Sequence, residues 1–501
     1  MAKNALGELA AKLSDRHILI AADLKAEVLD GLDVSVIAER IASRHKDSTT
    51  LGVVNSEEVV SIIKEMELDK APHPIEVIHK AGFRPAAAEI DADYSISNND
   101  IETSDGNVGA FVSYFRSRLD KLRKTLEYRS NVTGLVASID GIKSYTDGRE
   151  ITILGIVTSI TATKKGNIMA VIEDETSDAK VVFVNGSFGN SKDAFDRAGT
   201  LVTDEVIAVR GKIVGELIIA KDFVWPDVPI KERKQAKDDF AIAFISDLQV
   251  GSKLFLEKNF SSFISWLNGG TDRMPELAGK VKYVVVGGDI VDGIGVYPNQ
   301  DLDLAVPDAY MQYKIFFNLI SAIPDYIHIF VIPGNHDSVQ RAEPQPQLGP
   351  ELIGDFKMDN VHMLPNPSMI TLHGLDVLTY HGTSLDSIIS AIPRMSYSNP
   401  ERAMIELLKR RHLSPIYGGN IVVPSKNDNM VIEKVPDILH MGHVHKNGLG
   451  NYHGVKVVNS GTWQAKTEYQ TILGHMPTPC VVPVYDAKSD SFITIDFGAA
   501  P

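Results

Sequence analysis

Six apolar runs in the second half of the chain each break off into a polar cluster: FAIAFISDLQVGS, VKYVVVGGDIVDG, IHIFVIPGNHDS, LDVLTYHGTS, PDILHMGHVHKNG and VKVVNSGTW. Strands that are apolar at nearly every position lie in sheets covered on both faces, and ligands gather outside the carboxyl ends of such strands. Helical stretches separate several of the runs. Residues 236–501 are therefore expected to form an α/β domain whose function sits at its strand ends.

Upstream the pattern is different. Between Glu150 and Trp225 the runs ITILGIVTSITAT, IMAVIEDET, AKVVFV, EVIAVRGKIV and ELIIAKDFVW are short, β-rich and separated by turn signals such as Lys165-Gly166. This spacing suits a five-stranded barrel resembling an OB-fold, a module that binds single strands or docks proteins. With a basic leading helix over Phe111–Arg129 it makes a domain at 109–235. Residues 71–108, rich in Asp, Asn, Ser and Ala, read as a flexible linker. Residues 1–70 read as a small helical module, with stripes Leu24, Val28, Leu29, Leu32 and Val34, Ile37, Ala38, Ile41, and a third helix capped at Ser56.

Composition adds limits. An apolar fraction of 44% is that of ordinary globular domains. No stretch approaches the roughly 18 apolar residues of a membrane span, and the N-terminus has no signal-peptide core, so no membrane partner and a cytoplasmic location are expected. The single cysteine, Cys480, has no internal partner for a disulfide. A net charge of −15 works against nucleic-acid binding unless cations cluster. They do, in Arg116–Arg129 and in Lys409-Arg410-Arg411-His412, so Lys409, Arg410 and Arg411 are candidate DNA contacts.

The chemistry lies in the polar clusters. Asp247, Asp289 and Asn335-His336 each follow a β-branched run, so their loops can converge on one sheet edge. His381, His443 and His445 complete a carboxylate, amide and imidazole set suited to Mn²⁺, Fe or Zn²⁺. An extended His443-Val444-His445 points both rings the same way, Asp289 could bridge two ions, and the free His336 is placed to protonate a leaving oxygen. Asp292 reads as a turn or supporting residue.

SDLQVGS, GGDIVDGIGVYP, PGNHD, YHG, GHVH and NSGTW resemble the calcineurin-like phosphoesterase superfamily. AEPQPQLGPE, KRRHLSPIYGG and the barrel segment resemble, more narrowly, the small subunits of archaeal DNA polymerase D (polymerase II). The resemblance implies an α/β metallophosphoesterase, a two-sheet β-sandwich flanked by helices, preceded by an OB-fold barrel and a small N-terminal helical domain. It implies a 3′–5′ exonuclease that acts on DNA with a 3′ end, proofreads for a large catalytic polymerase subunit, and uses two divalent ions, usually Mn²⁺, with Mg²⁺, Fe and Zn²⁺ as alternatives. Its pattern places Asp247, the position of Gln249, Asp289 and His445 around one ion, and Asp289, Asn335, His381 and His443 around the other, with His336 as acid. The family motif Asp-x-His is here Asp247-Leu248-Gln249, so one imidazole is replaced by an amide. That leaves a weakened or inactive scaffold subunit as the alternative, and a phosphomonoesterase as a third reading of the same site.

Overall fold

The computed structural model describes every residue except 1, 15, 30–33, 46–51, 70–77, 79, 81, 98–100, 102–103, 105, 130–131, 133–137, 187–189, 233, 235 and 499–501. The chain divides into two compact units, Met1–Ile75 and Glu76–Pro501.

In the first unit helices Ala2–Ser14, Val34–Arg44 and Ser56–Asp69 bury Leu9, Leu13, Ile37, Ile41, Val59 and Ile62 against one another. The Leu24–Leu32 stripe is not an α-helix. Only a 3-10 turn forms, at Ala26–Leu29, and Leu32 lies outside the described residues. Two three-residue strands, β1 (Ile18–Ile20) and β2 (Gly52–Val54), pair in parallel; they are too short for periodicity to reveal. The third helix is capped by Asn55, whose Oδ1 accepts from Glu58 N at 2.9 Å, one residue before the expected Ser56.

The second unit begins with a correction. Residues 71–108, expected as a flexible linker, contribute a strand, β3 (Tyr94–Ser97), to the edge of a sheet. Ala87 is held there by Gly279 O and Lys282 Nζ, and Tyr94 packs its ring on Phe330. A four-residue edge strand that buries little apolar surface has the composition of a loop. A helix then runs from Val108 to Glu127.

The β-rich runs form a closed barrel of β4 (Glu150–Ala162), β5 (Ile168–Glu173), β6 (Asp178–Phe183), β7 (Val206–Val214) and β8 (Leu217–Val224), in the order β4-β5-β6-β8-β7. Alternate residues such as Ile151, Ile153, Ile172, Val181, Val209 and Phe223 fill it. The Val108–Glu127 helix lays Leu119, Leu122 and Leu126 on its outer wall.

The apolar runs form two six-stranded sheets. The first has the order β12-β11-β10-β9-β18-β19, from β9 (Ala241–Ile245), β10 (Val281–Gly287), β11 (His328–Ile332), β12 (Val361–Met363), β18 (Val481–Asp486) and β19 (Ser491–Asp496). The second has the order β16-β17-β15-β14-β13-β3, from β13 (Ser368–Leu372), β14 (Leu375–Thr379), β15 (Ile438–Met441), β16 (Asn447–Tyr452) and β17 (Val455–Ser460). Ile242, Phe244, Val285 and Phe330 of one sheet meet Ile370, Val377, Ile438 and Val458 of the other in a shared core. The far face of the second sheet is covered by helices Leu385–Ala391 and Pro400–Arg410. Because β9, β10 and β11 are mutually parallel, as are β14, β15 and β17, the polar clusters that follow them leave each sheet in a common direction.

Candidate metal centre

Asp247 and Gln249 follow β9, Asp289 follows β10, Asn335 and His336 follow β11, His381 follows β14, and His443 and His445 follow β15. Five of these eight have left-handed backbone: Asp247 (φ 51°), Gln249 (54°), Asp289 (50°), His443 (69°) and His445 (56°). Each such residue costs about 1–2 kcal/mol, so the surrounding structure must hold them. Asp247 N donates to Gly288 O, Gln249 N to Asp289 O, and Trp463 N to Asp247 O, which laces the loops together. Two glycines permit the closeness: a Cβ on Gly334 would lie 2.2 Å from Asp289 Oδ1, and one on Gly442 would lie 2.3 Å from Asp247 Oδ2.

One half of the centre is a set of converging acceptors. Asn335 Oδ1 lies 2.9 Å from His381 Nε2 and 3.0 Å from His443 Nδ1. The Gly287 carbonyl, 2.8 Å from His381 Nδ1, can only accept, so that nitrogen carries the hydrogen and Nε2 turns its lone pair inward. Asp386 Oδ2 does the same for His443 Nε2 at 3.0 Å. Either a proton on His443 or a cation must therefore stand among the three acceptors. Burial alone would push the His443 imidazole down; Asp386 foremost lifts it to about 9, so this corner attracts positive charge.

Asp289 lies between the two halves. Its Oδ1 accepts from His336 N at 2.9 Å and is 3.4 Å from His381 Nε2. Burial raises its pKa, but His381 and His336 outweigh that and hold the carboxyl below its usual range. Its Oδ2 faces the other half and accepts from Gln249 Nε2 at 2.9 Å. There Gln249 Oε1 and Asp247 Oδ1 are buried without hydrogen bonds, Asp247 Oδ1 lying 3.3 Å from His445 Nε2. Ligand atoms of Asp247, Asp289 and His381 all lie within 4.8 Å of one another.

His336 stands beside this set, its Nε2 3.9 Å from Asp289 Oδ2 and its Nδ1 donating to Asp292 O at 2.8 Å. Burial lowers its pKa, but Asp289 and then Asp292 raise it to about 9. Asp292, read as a turn or supporting residue, places Oδ1 3.5 Å from His336 Nδ1.

Residues 242–447 match the DNA polymerase alpha/epsilon B-subunit family. A DNA polymerase II small subunit of Archaeoglobus fulgidus is 45% identical over 383 residues, covering 76% of this chain and 75% of that protein. The chain belongs to the family of DNA polymerase II small subunits. The Methanocaldococcus jannaschii member is 39% identical over 404 residues, 80% of this chain and 67% of that one. The Pyrococcus furiosus member is 39% identical over 395 residues, 77% of this chain and 63% of that one, so the chain spans just under two thirds of its length. A solved archaeal phosphodiesterase aligns over 51% of this chain and 99% of its own, at 15% identity and a TM-score of 0.25. Among the described residues no helix is long and apolar enough to cross a membrane.

Within this small-subunit fold, the basic cluster expected to touch DNA is turned inward. Arg410, with no exposed side-chain surface, pairs with Glu205 at 2.7 Å and with Glu406. Arg411 donates to Ile432 O and Glu433 O, and Lys409 pairs with Glu406 at 2.7 Å. Arg410 thereby joins the barrel to the sandwich; a run of cations cannot reveal that an acid of another domain will claim one of them. In the leading helix Arg118 behaves alike, buried on Asp428 at 2.8 Å, whereas Arg116 and Lys124 are exposed.

Sequence reasoning passed over Asp386, Asp337 and Gln470. Asp337 accepts from Gly334 N, Ile290 N and Tyr313 Oη and so fastens two site loops; burial, then Asp289, pushes its carboxyl up to about 7. Its signal was visible, as the last residue of PGNHD. Gln470 Nε2 lies 2.9 Å from His445 Nδ1, and neither it nor Asp386 follows a strand.

Proposed function

We propose that the chain is the 3′–5′ exonuclease subunit of its polymerase, hydrolysing a phosphodiester with two divalent ions, Mn²⁺ foremost, and proofreading for a large polymerase subunit. The observation that carries this reading is the convergence of Asn335 Oδ1, His381 Nε2 and His443 Nδ1 beside the shared carboxylate of Asp289. Acceptors that face one another in a buried site fit a cation, and the orphaned Asp247 Oδ1 and Gln249 Oε1 fit a second. Asp289, Asn335, His381 and His443 would hold one ion, and Asp247, Gln249, Asp289 and His445 the other. Bound there, the ions supply charge opposite the phosphoryl oxygens and an acidified water.

The chain's own residues do the rest. Water adds to the terminal phosphorus and the bond to the 3′ oxygen of the preceding nucleotide breaks, releasing a nucleoside monophosphate. His336 Nε2, its ring oriented through Nδ1 by Asp292, gives its proton to that leaving oxygen. The metallophosphoesterase sandwich and an OB-type barrel would supply the docking surface for the large subunit. An Asp289→Ala, His443→Ala double variant is therefore expected to co-purify with that subunit. Loss of binding by the folded variant would show that site and assembly are not separable.

A second reading is favoured by one contact. Gln249 offers Asp289 a donor where the family has an imidazole ligand, and a centre closed by that bond would make the chain a weakened or inactive scaffold subunit. Incubation of the purified chain with a 3′-labelled single strand in Mn²⁺, with and without chelator, separates the two. Chelator-sensitive shortening from the 3′ end supports the nuclease; an intact strand under all conditions supports the scaffold.

A further inference from the structure

The centre is bordered by surface that neither metal binding nor folding explains. On one side the loop after Asp292 exposes Ile294 and Tyr297; Tyr297 is 37% exposed and its ring centroid lies 6.3 Å from that of His336. On the other side the turn that carries Gln470, and through it touches His445, exposes Tyr469 at 70%, Ile472 at 80% and Met476 at 64%. Leu254 joins the two sides: Ala465 N donates to its carbonyl, while the adjacent Lys253 N donates to Asp303 O. Apolar side chains left in water along both sides of a catalytic mouth mark a binding surface.

Cations stand along the same rim. Lys253 Nζ reaches Leu302 O at 2.7 Å, Arg341 Nη2 reaches Gly295 O at 3.0 Å, and Lys466 Nζ lies 3.5 Å from Met476 Sδ. All three are exposed, and none has a carboxylate partner among the described residues. Exposed acids, Asp301, Asp303 and Glu468, share these loops, so the cations are separate points for phosphates rather than a basic face. One of these acids, Asp303, accepts from the Tyr297 hydroxyl at 3.2 Å. Aromatic faces interleaved with cations form the combination that holds single-stranded nucleic acid, bases on rings and phosphates on ammonium or guanidinium groups.

We infer that this rim seats the unpaired 3′ end of a DNA strand, with the terminal base stacked on Tyr297 beside His336, Tyr469 receiving a base further along, and Lys253, Arg341 and Lys466 taking the flanking phosphates. The inference rests on the nuclease reading for the identity of the strand. It supplies the selectivity such an enzyme needs, because a paired terminal base is already stacked in its duplex and gains nothing from the ring. A frayed or mismatched base gains a partner.

The test measures binding apart from hydrolysis. The full chain is titrated, in Mn²⁺, into an oligothymidylate that ends in 2-aminopurine behind a phosphorothioate linkage. Stacking on Tyr297 quenches the fluorescence; Tyr297→Ala abolishes the quench and weakens binding roughly 5- to 150-fold. Tyr297→Phe and Tyr297→Trp retain both, which separates the ring from the hydroxyl bond to Asp303. Lys253→Ala and Lys466→Ala each lower the salt dependence by about 0.7 in the log–log slope. A quench that persists in Tyr297→Ala overturns the proposal, as do rim substitutions that release the large polymerase subunit while leaving the quench intact. If Tyr297-dependent quenching is found but no strand is ever shortened, the seat stands and the nuclease reading falls.

Discussion

The two halves of the candidate centre share Asp289 yet are prepared for opposite partners. Around Asn335, each imidazole has its outer nitrogen occupied, His381 by Gly287 O and His443 by Asp386, so in the neutral rings the inner nitrogens present lone pairs and a cation can replace the proton on His443. Around Gln249, a donor fills the corresponding place: its Nε2 sits on Asp289 Oδ2, and His445 Nδ1 faces the amide of Gln470, whose Oε1 is fixed by Thr467 N. The first half is oriented for a cation before one arrives. The second must break a hydrogen bond to admit one. The groups behind the ligands, as much as the ligands, decide how ready a metal site is.

The largest effect is expected from destroying the prepared half. His381→Ala, Asn335→Ala double substitution should remove the tightly held ion and reduce hydrolysis by well over the roughly 100-fold that losing even one outer partner can cost. Metal content by mass spectrometry together with rate checks this; an unchanged ion count would transfer the strong site to the Gln249 half. His336→Ala comes next, with a rate loss on the order of 10² to 10⁴ and metal content nearly unchanged, as expected of a ring that gives a proton rather than ligating. An ion lost together with the rate would make His336 a ligand.

A milder substitution reaches the same half from behind. Asp386→Asn keeps the shape but weakens the acceptor that orients His443, and a 10- to 100-fold rise in the Mn²⁺ concentration needed for half-maximal rate is expected, roughly the cost of losing an outer partner. A similar rise from Gln470→Ala would mean that the two halves depend equally on their supports and that neither is better prepared.

Much of this arrangement was legible in the chain, and the limits have physical causes. Apolar runs ending in Asp, Asn or His were readable because parallel strands covered on both faces are apolar at most positions before their ends. All eight positions around the centre could be named that way or by resemblance. What could not be read depended on distant partners. Nothing in KRRH says that Arg410 will meet Glu205, and nothing around Asp386 announces His443. The edge strand Tyr94–Ser97 was hidden for another reason: one row of hydrogen bonds to β13 suffices for it, and little apolar surface is required. The amide at 249 was visible as a departure, yet its direction, donor toward Asp289 and acceptor unpaired, exists only in the fold.

That direction gives the last and smallest effect, and the one that bears most directly on the contrast between the halves. Gln249→His replaces a donor on Asp289 Oδ2 by an imidazole that can present a lone pair, in a position already tied by Gln249 N to Asp289 O. The left-handed backbone at 249 (φ 54°) is kept, and His tolerates it better than most side chains. Freed of the amide hydrogen, Asp289 can offer one oxygen to each side, and the orphaned Asp247 Oδ1 gains a cation to face. The Mn²⁺ requirement should fall by about 10- to 100-fold and the exonuclease rate should rise, while the ion at the prepared half is unaffected. Equilibrium dialysis reads the stoichiometry independently of rate: the native chain should bind one Mn²⁺ tightly and a second weakly, and Gln249→His should bind two alike. Equal Mn²⁺ curves for both proteins, with vigorous native activity, would mean that the amide turns and ligates through Oε1 once an ion is present; two proteins without activity would leave the scaffold reading in place.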